Sequence, residues 1–188
     1  MLTFWLLHLG IVYMSFTMLN KPKLSIVIPA FNEEDLLADC LSAVLSQTIK
    51  PHEIIVVDNN STDNTVAIAK SFHGVKVVTQ HLPGITATRD LGFSSVTGDI
   101  IVRTDADTRP DSNWLERILE SMTPDVHAVT GPIYYFDLPA QKLLKNLGIF
   151  IQSKLAGRNL RPKFLAGSNM AIRKETWQKI SGSVCRKE

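Results

Sequence analysis

The chain has 188 residues, of which 45% are apolar and 20% charged, and its formal net charge is +2. This is a globular composition, long enough for one domain with a real core, and it excludes a disordered chain. The small net charge, with no Lys/Arg run or basic stripe, argues against nucleic acid as a partner, and neither Cys40 nor Cys185 has the neighbours a zinc site needs.

Residues 2–19 carry no formal charge. As a helix rising about 1.5 Å per residue, they nearly cross a hydrocarbon core of about 30 Å. The basic start and small-residue cleavage site of a signal peptide are absent. Lys21 and Lys23 follow, which places the remainder on the cytoplasmic face of a membrane. Residues 1–20 are therefore expected to form a hydrophobic, membrane-spanning or membrane-associated helix ahead of one domain over 23–188. Two alternatives stand beside that expectation. The segment is a tail packed on the protein, or it is an upstream extension of a cytoplasmic chain that starts at Met18.

Beyond Pro22 short apolar runs recur at 24–28, 53–57, 75–78 and 99–102. Rich in β-branched residues, they read as strands buried on both faces. Helical spacing fills the gaps. Leu36, Leu37, Cys40, Leu41, Val44 and Leu45 make one apolar stripe, with Cys40 as a core thiol. Sparse cysteine usage suits a reducing compartment. A second helix begins near Val66, with Ser61, Thr62 or Asp63 as its cap, and a third covers 85–96. Strands alternating with helices predict βαβ units and a parallel sheet, with ligands at the C-terminal ends of its strands. Further on, a helix is expected over 113–121, capped by Asp111 or Ser112, and a strand over 126–136. A helix carrying Leu143, Leu147 and Leu155 follows, then a strand and turn over 164–172.

Asp105 and Asp107 lie just past the fourth strand run, in the segment RTDADTRPD. In extended backbone, residues two apart point to the same side. Two carboxylates therefore converge at a strand end, as a hard cation bound through oxygen requires. Asp/Asn clusters also occur in ordinary turns and caps, so the pair alone is a modest signal. Glu33 and Glu34 follow the first strand, where early acidic residues also complement a helix dipole. Asp58 ends the second strand at the same sheet edge, whereas Asp63 suits the start of the next helix.

The segments VIPAFNEE, VVDNNSTDNT, GITATRDLG and DADT, in this order and spacing, resemble glycosyltransferase family 2, and AGSNMAIRKETW resembles its acceptor-side segment. The match runs from about residue 23 to the end. The resemblance implies an α/β, GT-A fold: a Rossmann-like, mostly parallel sheet flanked by helices. It implies inverting transfer from a nucleotide diphosphate sugar to an acceptor hydroxyl, assisted by Mg2+ or Mn2+. By the same resemblance Pro29, Ala30, Phe31 and Glu33 line the nucleotide pocket, with Phe31 against the base. Asp58 accepts a hydrogen bond from the base, Arg89 lies near the diphosphate and Ala106 belongs to the nucleotide-sugar site. Gly92 allows close helix packing. Asp105 lies near ribose or metal, and Asp107 is the main metal ligand. Gly167, Ser168 and Asn169 shape the donor-sugar and acceptor side.

Three positions depart from the family pattern. Phe31 replaces the usual Tyr, which keeps stacking and loses a hydroxyl. Asp90 replaces an Asn and adds negative charge near the diphosphate. The catalytic base belongs to a Glu-Asp pair expected at and just after Glu188. General-base help is worth about 10²–10⁴-fold, so a donor-binding module lacking the base is the alternative to an active enzyme. A nucleotidyltransferase is disfavoured because PAFNEE is acidic and lacks glycine, and a NAD-binding domain because no G-x-G-x-x-G follows the first strand. The apolar N-terminus points to a lipid-linked or envelope acceptor.

Overall fold

The computed structural model describes residues 21–132 and 167–183. The four apolar runs form β1 (Leu24–Ala30), β2 (Glu53–Asp58), β3 (Val75–Thr79) and β4 (Ile100–Thr104). They are linked in turn by α1 (Leu37–Leu45), α2 (Thr65–Ser71) and α3 (Ile85–Ser95). β1 pairs in parallel with β2 and β4, and β2 pairs in parallel with β3. Then come α4 (Trp114–Ser121), β5 (Ala128–Thr130), β6 (Asn169–Arg173), α5 (Lys174–Ile180) and a 3-10 turn at Ser181–Ser183. β6 is antiparallel to both β4 and β5, and the sheet order is β3-β2-β1-β4-β6-β5.

Side chains alternate across each strand, and the two faces of the sheet build two cores. Ile26, Ile28, Ile54, Val56, Ile100 and Val102 pack with Leu37, Cys40, Leu41 and Val44 of α1 and with Leu115 and Ile118 of α4. Val27, Ile55, Val57 and Ile101 pack on the other face with Phe93 of α3 and Trp177 of α5. This explains the continuous apolar runs: all seven residues of β1 are buried because helices cover both faces. Gly92 is where α3 rests on the sheet. A Cβ there would stand 2.9 Å from Val57 Cγ2 and closer still to the Val27 side chain.

The expected strand over 126–136 is three residues long within the described part, at Ala128–Thr130. The helix proposed for residues 1–20, the helix around Leu143–Leu155, Cys185 and Glu188 all lie outside the described residues. Among the described residues no helix is long and apolar enough to cross a membrane.

The start of α2 is bonded by Asp63, one of the three expected caps, though not from the N-cap position itself. Asn64 holds the N-cap position of α2 without a side-chain cap bond. One residue earlier, Asp63 Oδ1 accepts the Thr65 N–H at 3.0 Å. At α4 the N-cap position is held by Asn113, which makes no side-chain cap bond. Buried Gln47, from the turn after α1, accepts the Leu115 N–H on Oε1 at 3.1 Å. Its amide donates to the carbonyls of Asp111 and Ala43 at 2.8 and 3.1 Å.

Candidate functional site

From β1 the chain steps outward to β2 and β3, then returns across β1 to β4. β1 and β4 therefore lie side by side, and the loops that leave their C-terminal ends share one edge of the sheet, where ligands of open α/β sheets bind. A cavity of about 700 Å³ occupies this place, within the range of about 300–1,000 Å³ usual for ligand sites. The end of β1 contributes Pro29, Ala30, Phe31 and Glu33 to its wall, and the loop after β2 contributes Asn59 and Asn60. The approach to α3 adds Pro83, Gly84, Ile85 and Thr88, and β4 with its turn adds Arg103, Asp105, Ala106 and Asp107.

Hydrogen bonds fix these loops to one another. Asn32, at φ 54°, accepts the Thr62 N–H on its Oδ1 at 2.8 Å, and its own N–H donates to Ser61 Oγ at 3.0 Å. Glu34 Oε2 accepts the Asn64 N–H at 3.0 Å, and the Glu34 N–H donates to Asp63 Oδ2 at 3.1 Å. Asn60, at φ 62°, donates its amide to the His81 carbonyl at 3.2 Å. Left-handed backbone at two asparagines costs little, because Asn tolerates that region better than most residues. The DADT turn is held by the Thr108 N–H on the Asp105 carbonyl at 3.1 Å and by an Arg109–Asp39 ion pair to α1.

Negative charge gathers on one side of the cavity. Burial raises the Glu33 carboxyl above its ordinary value, and the nearby charges of Asp107, Asp105 and Asp63 raise it further. Beneath the turn, burial first and then the charges of Asp107, Asp105 and Glu33 push the Cys40 thiol up to about 12. Carboxylates that repel one another in this way fit a cation. Among the described residues no three-ligand His/Cys/Asp/Glu cluster forms. Asp105 and Asp107 are the carboxylates that could hold such an ion, because a small divalent ion commonly takes one or two carboxylates and completes its shell with phosphate and water.

Pro29, Ala30, Phe31, Glu33, Asp105, Ala106 and Asp107 thus share one wall, and Phe31 is 58% exposed. Asp58 stands behind that wall. It is buried, pairs in register with Ala30, and accepts the Ser61 N–H on Oδ1 at 3.2 Å. Asn59 and Asn60 line the cavity where Asp58 was expected to. Arg89, expected beside the diphosphate, is not on the wall. Its guanidinium pairs with Asp90 at 2.8 Å and lies 5.3 Å from the Trp177 ring centroid, so it is neutralised and stacked within the α3–α5 packing. Asn169 is engaged in structure: Oδ1 accepts from Trp114 Nε1 at 2.9 Å, and Nδ2 donates to the Pro132 carbonyl at 2.9 Å. Gly167 and Ser168 form the turn before β6, with Gly167 against the Arg103 guanidinium.

Sequence reasoning missed Arg103, Asn59 and the Pro83–Thr88 wall. Arg103 carried a usable signal, because it stands near the end of β4, two residues before Asp105. Asn59 carried only its place after a strand end.

The family model described as Glycosyl transferase family 2 matches residues 25–180. Glycosyltransferase AglE of Haloferax volcanii is 36% identical over 103 residues, 51% of this chain and 34% of the relative. Cholesterol galactosyltransferase of Borreliella burgdorferi is 28% identical over 144 residues, 74% of this chain and 40% of the relative. Glycosyltransferase GlyA of Streptococcus pneumoniae is 29% identical over 125 residues, 64% of this chain and 18% of the relative. Only 18–40% of these relatives' lengths is therefore covered. Among solved structures, the mannosyltransferase PcManGT from Pyrobaculum calidifontis, in complex with GDP-Man and Mn2+, superposes with a TM-score of 0.67 at 22% identity. The match covers 86% of this chain and 47% of that one. Glucosyl-3-phosphoglycerate synthase of Mycobacterium tuberculosis gives 0.59 at 26% identity, covering 82% and 58%. The likeness extends over the sheet and its helices, and the fold is GT-A.

Proposed function

Because the chain belongs to glycosyl transferase family 2, we propose that it binds a nucleotide diphosphate sugar and transfers the sugar, with inversion, to an acceptor hydroxyl. The supporting observation is the convergence of Glu33, Asp105 and Asp107 on the wall of one cavity at the C-terminal ends of the adjacent strands β1 and β4. Asp105 and Asp107 would hold Mg2+ or Mn2+, with Asp107 as the main ligand. When bound, that ion supplies Lewis-acid stabilisation of the leaving diphosphate.

The remaining roles fall to the chain's own groups. Pro29, Ala30 and exposed Phe31 offer an apolar surface for the base. Asp58 acts from behind, by holding the loop that carries Asn59 and Asn60. Gly167 and Ser168 border the acceptor side. An acceptor on a lipid or envelope glycan, met at a membrane surface, suits the uncharged stretch 2–19 and a relative named for cholesterol.

The test is titration of the full chain with UDP- and GDP-sugars, with and without Mn2+. One donor should bind in a metal-dependent way, and Asp107→Ala should weaken that binding by about tenfold or more. Binding indifferent to both metal and substitution would remove the proposed site.

A further inference from the structure

Among the described residues the cavity wall holds three carboxylates, from Glu33, Asp105 and Asp107, and one basic side chain, Arg103. Arg103 projects from β4 on the same side as Asp105. Its side chain is only 12% exposed, and Nη2 donates to Asp105 Oδ1 at 3.0 Å. Its Nε is buried with no hydrogen-bond partner. A guanidinium offers five N–H donors in a rigid fork suited to paired oxygens, and here half of one fork edge is unused. A Cβ at Gly167 would stand 2.6 Å from Nη1 and 2.8 Å from Cζ. The turn before β6 therefore closes over the cation, and only glycine leaves it in place. Arg89, the other candidate cation, is committed to Asp90 and Trp177.

We propose that Arg103 is the residue that recognises the donor's diphosphate, supplying at the cavity wall the positive charge that an anion needs beside three carboxylates. The inference rests on the nucleotide-sugar reading above. It has a sign that a merely structural role lacks. A guanidinium beside Asp105 repels a divalent ion, so its removal leaves metal binding as tight or tighter. The same removal weakens a diphosphate, which loses a charge-assisted partner.

The experiment uses the full chain and its Arg103→Gln, Arg103→Lys and Gly167→Ala variants. Mn2+ binding is read from the EPR signal of the free ion, and UDP and GDP binding by calorimetry at saturating Mn2+. Arg103→Gln should keep or tighten Mn2+ binding and weaken the nucleotide by about tenfold or more. Gly167→Ala, which displaces the guanidinium without removing its charge, should weaken the nucleotide in the same direction, and Arg103→Lys should fall between. Gly167→Ala and Arg103→Lys carry the test if Arg103→Gln does not fold. Nucleotide affinity within about twofold of the unaltered chain in these variants overturns the inference, as does parallel loss of metal and nucleotide binding. It is equally overturned if Arg89→Gln abolishes nucleotide binding while Arg103→Gln does not. An unaltered chain that binds neither nucleotide with Mn2+ ends the nucleotide-sugar reading itself. Failure of Arg103→Gln against a binding parent ends this inference alone.

Discussion

Asn59 Oδ1 accepts the N–H of Gly84 at 3.0 Å, while its Nδ2 donates to the carbonyls of Leu82 and Gln80 at 2.8 and 3.1 Å. One side-chain amide thereby joins the loop after β2 to the approach to α3, and both loops wall the cavity. Gly84 has φ 115°, a conformation that favours glycine, so the join also fixes where α3 begins. Asn59→Ala frees both walls. Nucleotide-sugar affinity should fall by roughly tenfold or more, because small displacements of positioning groups are costly. Calorimetric titration with the metal present checks this, and an unchanged dissociation constant would remove Asn59 from the site's framework.

Gln47 should matter to stability and not to binding. It is fully satisfied, capping the first turn of α4 from the end of α1. Gln47→Ala leaves the buried Leu115 N–H and the Asp111 carbonyl without this partner. The expected loss is about 1–3 kcal/mol in urea unfolding. A cost within a few tenths of a kcal/mol would mean that water replaces the amide.

Glu53 gives the stability a defined response to acid. Burial acts to raise its pKa, but bonds from Ser25 Oγ, from the N–H and Oγ1 of Thr97 and from the Gly98 N–H outweigh it. The carboxyl ends below the ordinary value of 4.5. A folded pKa below the unfolded one means stability that is present above the unfolded value and lost as pH falls through the folded value. The gap in unfolding free energy between the unaltered chain and Glu53→Gln should be constant from pH 7 to about 5 and shrink below about 4.5. Urea titrations across that span read it, and a gap that widens in acid would contradict the assignment.

The parallel half of the sheet was legible because each strand is a β-branched run bounded by turn residues, and burial on both faces makes such runs continuous. Asp105 and Asp107 both reach the cavity wall, but from the turn after β4 and not from the extended strand that their spacing suggested. What escaped depends on contacts made across long stretches of chain. Gln47 caps a helix 68 residues away, and no capping motif spans that distance. The stacking of Arg89 on Trp177 was not legible, because that ring belongs to another element. The role of Arg103 depends on a glycine near the far end of the described chain. The antiparallel course of β6 and β5 was equally hidden, since β5 has only three residues and takes its direction from its neighbour.

The Glu53 network ties together the starts of β1, β2 and β4, at the end of the sheet opposite the cavity. Tethering and ligand handling are thus separated by the length of the strands. The rim can exchange residues for a new sugar or acceptor and tolerate the loss of rigidity that follows, while the far end compensates with substitutions no ligand will ever meet. Such an arrangement leaves specificity free to drift on a scaffold whose endurance is decided elsewhere.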